Sequence, residues 1–155
     1  MTGPLPTELG LLTNVADLAA GGQCLSGTVP TELGAMASLT NIDMPDACLV
    51  GPVPWELGEL VVTTGPNGPI GGLVNLDLSG NALTSSIPLE CAVLTDLVMW
   101  NVTDNVAMDS CNPLPATVSS VTNTAIGGLC PCMTSIFTSP VWVLCEATAA
   151  TCTDL

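Results

Sequence analysis

A chain of 155 residues with 14 acidic side chains and no Lys, Arg or His has no cation of its own to neutralise phosphate groups. We therefore expect neither direct binding to nucleic acid nor attachment to an anionic membrane. The lack of His, Lys and Tyr also removes the usual general bases and Schiff-base nucleophiles, so we expect no enzyme. Apolar residues make up 48% of the chain, which argues against disorder and predicts a mostly aliphatic core.

The cysteine content indicates an oxidising compartment. Eight cysteines in a short chain are typical of a disulfide framework in a secreted protein. Zinc is the alternative, but without His only an all-cysteine site is open, and no second close pair follows Cys130 and Cys132. No apolar run reaches about 18 residues, so no transmembrane helix is expected. The first residues show no signal-peptide pattern, so a secretion signal would have been removed or would lie outside this chain.

One segment occurs in four copies along the chain. It reads MTGPLPTELG from Met1, LSGTVPTELG from Leu25, LVGPVPWELG from Leu49 and LTSSIPLECA from Leu83. The last interval is a 24-residue unit with ten extra residues, which the later leucines place within 61–72. A fixed period of this length predicts a solenoid of stacked coils. The central prolines, 24, 24 and 34 residues apart, are Pro6, Pro30, Pro54 and Pro88.

Each unit has the form LxxLxLxxNxLxGxIPxxLGxL. Around Leu76 and Leu78 apolar and polar residues alternate, which predicts a short strand whose leucines face inward. Asn81 and Asn105 stand where a side-chain amide can satisfy backbone groups of the turn between coils. Stacking would bring equivalent residues into one inward-facing row, formed by Leu18, Ile42, Leu76 and Trp100.

The pattern over residues 1–105 resembles the plant-type leucine-rich repeats of receptor-kinase ectodomains and polygalacturonase-inhibiting proteins, most closely in the segment LDLSGNAL from Leu76. The resemblance implies an α/β solenoid. It would be a right-handed coil with short parallel strands on one face and 3-10 or irregular segments on the other. Gln23 and Ala47 depart from the pattern at the asparagine position, and Ser85 departs at a glycine position. The amide ladder is therefore expected to be incomplete in the first two coils.

Residues 106–155 leave the pattern gradually. Pro115, Val118 and Val121 repeat the spacing of Pro88, Cys91 and Leu94, which predicts a degenerate fifth coil. The cysteines that follow predict a disulfide-rich C-terminal cap that hides the last apolar face of the solenoid. At the other end Met1 takes a leucine position with no capping sequence before it. We therefore expect either that the chain is a fragment of a longer array or that another molecule covers the N-terminal face of the first coil. The cap cysteines are Cys130, Cys132, Cys145 and Cys152.

Two further disulfide positions are expected within the repeats. Cys24 and Cys48 occupy the same position in successive coils, and strand spacing lies within the Cα range for a disulfide. In-register parallel neighbours hold their Cβ atoms slightly too far apart, so the bond would need a local adjustment of the backbone. We expect the bond, with two buried thiols as the alternative. Cys91 takes an inward leucine position, and Cys111 is its candidate partner.

Stacking also predicts two columns of side chains on the strand face, about 4.8 Å apart between neighbouring strands. The resemblance implies that this face binds the ligand. Asp43 and Asp77, flanked by Asn41 and Asn75, have oxygens that can accept sugar hydroxyls, a basic peptide or Ca²⁺. No other cofactor or metal is expected, and a solvated polar face without a ligand is the alternative. One column is Asp17, Asn41, Asn75 and Met99, and the other is Ala19, Asp43, Asp77 and Asn101.

The strand face also contains a modification motif. Asn101-Val-Thr103 is an N-glycosylation sequon. A glycan on Asn101 would cover the strand face and block it as a binding surface.

Three functions are open on the sequence alone. The first is an extracellular recognition module, secreted or at the cell surface, that binds a protein or carbohydrate ligand. The second is a structural subunit that packs against copies of itself in a fibre or matrix, since an uncapped coil face generates open assemblies. The third is ice binding, although a threonine array at Thr7 and Thr31 is interrupted by Trp55 and Leu89.

Overall fold

The computed structural model describes residues 3–66, 68–105, 107–109 and 120–122. Each repeat there forms one coil with a short strand, a turn and a 3-10 helix; coils one to four begin at residues 1, 25, 49 and 83. The described part contains no α-helix, so the α component of the predicted α/β class is absent from it. A proline precedes each helix and each helix is a single five-residue segment, which suits the 3-10 form. The helices are η1 Thr7–Leu11, η2 Thr31–Ala35, η3 Trp55–Glu59 and η4 Leu89–Val93.

Within the described ranges, ten short strands accompany these helices. They form a five-stranded sheet, a three-stranded sheet and a two-stranded hairpin. In chain order they are β1 Asp17–Ala19, β2 Asn41–Asp43, β3 Val50–Pro52, β4 Thr63–Gly65, β5 Gly68–Ile70, β6 Asn75–Asp77, β7 Ala82–Ser86, β8 Met99–Asn101, β9 Ala107–Asp109 and β10 Ser120–Thr122.

The main sheet confirms the predicted register of the repeat. Its strands run parallel in the order β1-β2-β6-β8-β10. The inward row is formed by Leu18 opposite Ile42, Ile42 opposite Leu76, and Leu76 opposite Trp100. Leu76 and Trp100 are fully buried and Leu18, in the first coil, is partly buried. The coils therefore share one apolar interior, lined mostly by leucine.

A second parallel sheet, β3-β7-β9, follows the turn of each coil and is not predicted by the sequence. The strands contain Gly, Pro and Ser, which are poor strand formers, so their pairing comes from coil stacking rather than from residue propensity. Ser85 keeps the positive φ of the equivalent glycines, 68° against 88° at Gly27 and 81° at Gly51. The coil path therefore imposes this backbone conformation even where the glycine is missing.

The extra residues of coil three form a hairpin. Strands β4 and β5 pair antiparallel, with Thr63 opposite Ile70 and Gly65 opposite Gly68. The Leu73 N–H donates to the Leu60 carbonyl at 2.9 Å, so the chain re-enters the coil beside the point where it left. This closure lets the insertion project from the solenoid without disturbing the repeat register.

Asn81 and Asn105 are the only buried polar residues in the part of the chain that the structure describes. The Asn81 Oδ1 accepts hydrogen bonds from the backbone N–H groups of Ala47 and Leu49, at 3.1 and 2.9 Å. Its Nδ2 donates to the carbonyls of Met44, Leu78 and Ser79 at 2.9 to 3.1 Å. Asn105 repeats the arrangement one coil later, accepting from Leu83 and donating to Leu78, Val102 and Thr103. The predicted role of these two amides is confirmed.

Coils one and two are joined by a disulfide between Cys24 and Cys48, as expected from their equivalent positions. The Cα atoms lie 4.9 Å apart. Cys48 has a φ of 58°, which L-residues rarely adopt. The expected local adjustment of the backbone is therefore found on the Cys48 side of the bond.

Replacing both Cys24 and Cys48 by serine is expected to lower the free energy of unfolding by about 3 kcal/mol, because the bond closes a loop of 24 residues in the unfolded chain. Urea unfolding followed by circular dichroism measures the change. Dithiothreitol should destabilise the wild type by a similar amount, and should have a much smaller effect on the double variant. A double variant as stable as the oxidised wild type would contradict the expectation.

Cys91 is buried in the core, and its thiol is free of any bond to the other described cysteines. Burial first, and the neighbouring Glu90 charge second, raise the pKa of its thiol to about 12. The thiol therefore stays protonated at physiological pH and packs as a small apolar group. The candidate partner Cys111 and the cap cysteines Cys130, Cys132, Cys145 and Cys152 lie outside the described residues.

Strand β10, from the region of the expected fifth coil, extends the main sheet in a different register from the expected one. Strand β10 pairs parallel with β8 and places Val121 opposite Trp100. The spacing match places Val121 at the Leu94 position instead, and that prediction is wrong. Val121 follows Trp100 by fewer residues than the 24-residue repeat, so an alignment on the prolines misplaces the strand. Pro115 and Val118 lie outside the described residues.

Candidate ligand-binding face

The main sheet brings all seven predicted binding residues onto neighbouring strands. Each strand contributes its first and third residues, which lie on the opposite face from the buried second residue. Strand β10 extends the register, with Ser120 opposite Met99 and Thr122 opposite Asn101. The first column is Asp17, Asn41, Asn75 and Met99, and the second is Ala19, Asp43, Asp77 and Asn101.

Side-chain hydrogen bonds connect the first column from strand to strand. The Asn75 Nδ2 donates to the Asn41 Oδ1 at 2.7 Å, and the Asn41 Nδ2 donates to the Asp17 carboxylate. Met99 ends the chain of amides. The asparagines are thus held in fixed orientations before any ligand arrives, which reduces the entropy lost on binding.

Asp77 in the second column already accepts three hydrogen bonds from its neighbours. Its Oδ1 accepts from the backbone N–H and the hydroxyl of Ser79, at 2.9 and 2.6 Å. Its Oδ2 accepts from the Asn101 Nδ2 at 2.8 Å. The Asp43 carboxylate, on the neighbouring strand, is exposed and accepts no hydrogen bond from the described residues. Asp43 is therefore the carboxylate on this face with no hydrogen-bond partner among the described residues, whereas Asp17 accepts one hydrogen bond, from Asn41.

Two residues that shape this face were not predicted from the sequence. Ser79 orients Asp77, and Thr103 orients Asn101 through its N–H and hydroxyl, at 3.2 and 3.0 Å. Each is a Ser or Thr two residues after an Asp or Asn. That spacing is typical of side-chain turns and is the signal that would have identified them.

The charged side chains of this face are all negative. Asp17, Asp43 and Asp77 lie on three consecutive strands, and the chain has no cationic side chain to offset them. Charges one strand spacing apart repel by only about 1 kcal/mol in water, so the fold tolerates the row. A basic ligand removes this repulsion and adds attraction.

Among the described residues, no group of three or more Cys, Asp or Glu side chains is placed to hold a metal ion. The Asp43 and Asp77 pair offers few free oxygen lone pairs, because Asp77 already accepts three hydrogen bonds. Calcium binding here remains a prediction without support from the geometry.

The Asn101 sequon remains an untested prediction. The Asn101 Nδ2, the atom that would bear a glycan, donates a hydrogen bond to the Asp77 Oδ2, and the side chain is partly buried. A glycan would replace one of the two Nδ2 hydrogens and crowd the Asp77 contact.

The sequence matches no protein-family model and no curated protein sequence, whereas the fold matches many solved structures. The Arabidopsis receptor kinase HAESA, in complex with the peptide hormone IDA and the co-receptor SERK1, is 25% identical over 80% of this chain and 20% of its own, with a TM-score of 0.60. PEPR1 in complex with AtPEP1 is 26% identical over 78% of this chain and 16% of its own, with a TM-score of 0.61. A chain of the Arabidopsis BIR3–SERK2 complex is 26% identical over 74% of this chain and 54% of its own, with a TM-score of 0.56.

The chain thus spans about a fifth of the length of the HAESA and PEPR1 structures. Within the described ranges, no helix combines the length and apolar content needed to cross a membrane. Parallel strands at a 24-residue register, 3-10 helices between them and buried asparagines are the features shared with the repeat pattern. The chain has the leucine-rich-repeat solenoid fold, and its structural neighbours are the plant-type leucine-rich-repeat receptors that its sequence resembles.

Proposed function

We propose that this chain is a non-catalytic, extracellular leucine-rich-repeat module that binds a protein or peptide through the face of strands β1, β2, β6 and β8. The observation that carries the proposal is Asp43, an exposed carboxylate without a hydrogen-bond partner among the described residues, set between side chains that are already fixed. Support comes from two structural neighbours, HAESA in complex with the peptide hormone IDA and PEPR1 in complex with AtPEP1.

The charge of the face favours a basic peptide over a neutral glycan. Three aspartates without a counter-charge attract Lys and Arg, and charge-assisted hydrogen bonds are about twice as strong as neutral ones. A glycan would gain no such attraction and stays the alternative ligand. The location proposed for the module is the cell surface or the extracellular space, where its disulfide between Cys24 and Cys48 is stable.

The fibre and ice-binding hypotheses remain predictions without a supporting observation. The four 3-10 helices begin with Thr7, Thr31, Trp55 and Leu89, so a threonine array on this side stops after two coils.

Selection from a displayed random-peptide library against the immobilised chain tests the proposal. Selected peptides are expected to bind saturably, to be enriched in Lys and Arg, and to bind the Asp43→Ala variant at least about tenfold more weakly. Isothermal titration calorimetry in 150 mM salt measures the affinities. Asp77 is unsuitable as the first target, because its carboxylate also holds Ser79 and Asn101.

Glu8→Ala is the matched control, since it removes the same charge from an exposed position on the first 3-10 helix. It should change the affinity less than twofold. Peptides that depend equally on Glu8 and Asp43 would show attraction to net charge alone, and peptides that are insensitive to Asp43 would refute the strand face as the site.

A further inference from the structure

A groove of about 370 Å³ lies beside the third 3-10 helix, apart from the strand face. No residue of the strand-face columns borders it. Prolines from two coils form much of its wall, which makes the groove rigid. Its lining includes Thr28, Pro52, Pro54, Trp55, Glu56 and Pro88.

The apolar side of this groove is an exposed aromatic ring. Trp55 is 51% exposed, and Leu89, which takes the same position in the next coil, is 60% exposed. The first two coils have Thr7 and Thr31 at this position, so the apolar surface is specific to coils three and four. The face of an exposed indole attracts cations, and Trp is the best of the aromatic side chains for this.

The polar side of the groove is a carboxylate that lacks a partner. The Glu56 Oε2 is enclosed by protein and has no hydrogen-bond partner among the described residues. In the preceding coil the Glu32 Oε2 accepts from the Thr31 hydroxyl at 3.2 Å, and Trp55 removes that hydroxyl from coil three. A carboxylate with one oxygen withdrawn from water and no donor is unfavourable, and a cation held against the accessible side of Glu56 in the groove offsets its charge.

We propose that this groove binds an Arg or Lys side chain of a partner protein, stacked on Trp55 and paired with Glu56. The chain itself has no Lys, Arg or His, so the cation has to come from another molecule. Glu90, the exposed equivalent of Glu56 in coil four, adds to the negative field. Leu89 and Val93 are also exposed, and they offer contacts to apolar residues that flank the cation in the partner. A sugar would also stack on Trp55, but it would leave the Glu56 oxygen without a charged donor. The proposal does not depend on the strand-face function.

Titration of the ¹⁵N-labelled full chain with acetyl-Leu-Arg-Leu-amide in 150 mM salt tests this. The indole N–H resonance of Trp55, assigned by its loss in Trp55→Thr, should shift saturably. Glu56→Gln keeps the shape of the side chain and should weaken binding at least about fivefold. Trp55→Thr places the residue of the first two coils at this position and should abolish the backbone shifts around the groove.

Three controls separate a specific cation site from attraction to net charge. Glu32→Gln, the same change one coil earlier, should leave the affinity within about twofold, as should Asp43→Ala on the strand face. The peptide with citrulline in place of Arg should give no saturable shift. Equal weakening by Glu32→Gln and Glu56→Gln, or equal binding of the citrulline peptide, would overturn the proposal. A cello-oligosaccharide that saturates the Trp55 resonance when the tripeptide does not would also overturn it.

Discussion

Replacing Gly34 by alanine is expected to lower the free energy of unfolding by about 3 kcal/mol or more, or to prevent cooperative folding. A Cβ atom at Gly34 would lie 2.3 Å from the carbonyl oxygen of Glu56 and 2.8 Å from its carbonyl carbon. Both are backbone atoms of the next coil, so the clash is relieved only if the two coils move apart. Urea unfolding followed by circular dichroism measures the loss.

The same contact recurs at the other coil junctions. A Cβ at Gly10 would lie 2.6 Å from the Glu32 carbonyl oxygen, and one at Gly58 would lie 2.5 Å from that of Glu90. Each of the first three 3-10 helices therefore packs its backbone directly on the next one through a glycine. A single methyl group at this position would therefore increase the distance between the 3-10 helices of neighbouring coils.

Ala35→Leu is the matched control for Gly34→Ala. Position 35 adjoins Gly34 in the same 3-10 helix but is exposed, and the first coil already has an exposed Leu11 there. We expect a change below about 0.5 kcal/mol. A Gly34→Ala variant as stable as the wild type would show that the coils separate easily and that close backbone packing does not stabilise this fold.

The register of the core could be predicted from the sequence because burial leaves a strong pattern. Leu76 and Leu78 alternate with polar residues, and the same spacing recurs in every coil, so the inward row followed from counting. The position of the insertion followed from the same count, but its hairpin did not. The glycines and prolines around β5 indicate a loop, although the β-branched run from Val61 to Thr64 was a usable strand signal.

The candidate site was predictable in its backbone but not in its side-chain contacts. Strand register alone placed Asp43 beside Asp77. Whether either carboxylate is free depends on side-chain orientation, and Ser79 engages Asp77 from two residues away. The groove at Trp55 was unpredictable for a related reason. The groove is lined by residues of adjacent coils that are distant in sequence. Its only sign in the sequence is the change from Thr31 to Trp55 at equivalent positions of successive coils.

Every junction between the four coils has its own polar or covalent link, which accounts for the interruption in the asparagine pattern. Asn81 joins coils two and three, and Asn105 joins coils three and four. Ala47 provides no amide at the first junction, and the Cys24–Cys48 disulfide lies at the adjacent position. The disulfide therefore takes the place of the missing amide. The spacing predicted the disulfide, but it did not indicate that the bond replaces the asparagine.

Replacing Asn81 by leucine is accordingly expected to lower the free energy of unfolding by about 4 kcal/mol. The substitution leaves two buried N–H groups, those of Ala47 and Leu49, without an acceptor, and each buried unsatisfied group costs about 1–3 kcal/mol. The Met44 carbonyl of coil two loses its donor as well, whereas the Leu78 carbonyl keeps the hydrogen bond from Asn105. Leucine is somewhat larger than asparagine, so the loss measures hydrogen bonding more than a cavity.

Amide hydrogen exchange distinguishes this mechanism from a general loss of stability. The amides of Ala47 and Leu49 should lose protection by more than the global change, whereas those of the inward row, such as Ile42 and Leu76, should follow it. Asn14→Leu, at an exposed turn position, is the control and should change stability by less than about 0.5 kcal/mol. Uniform loss of protection across all coils would mean that Asn81 acts through packing, and the amide would then not be what joins coils two and three.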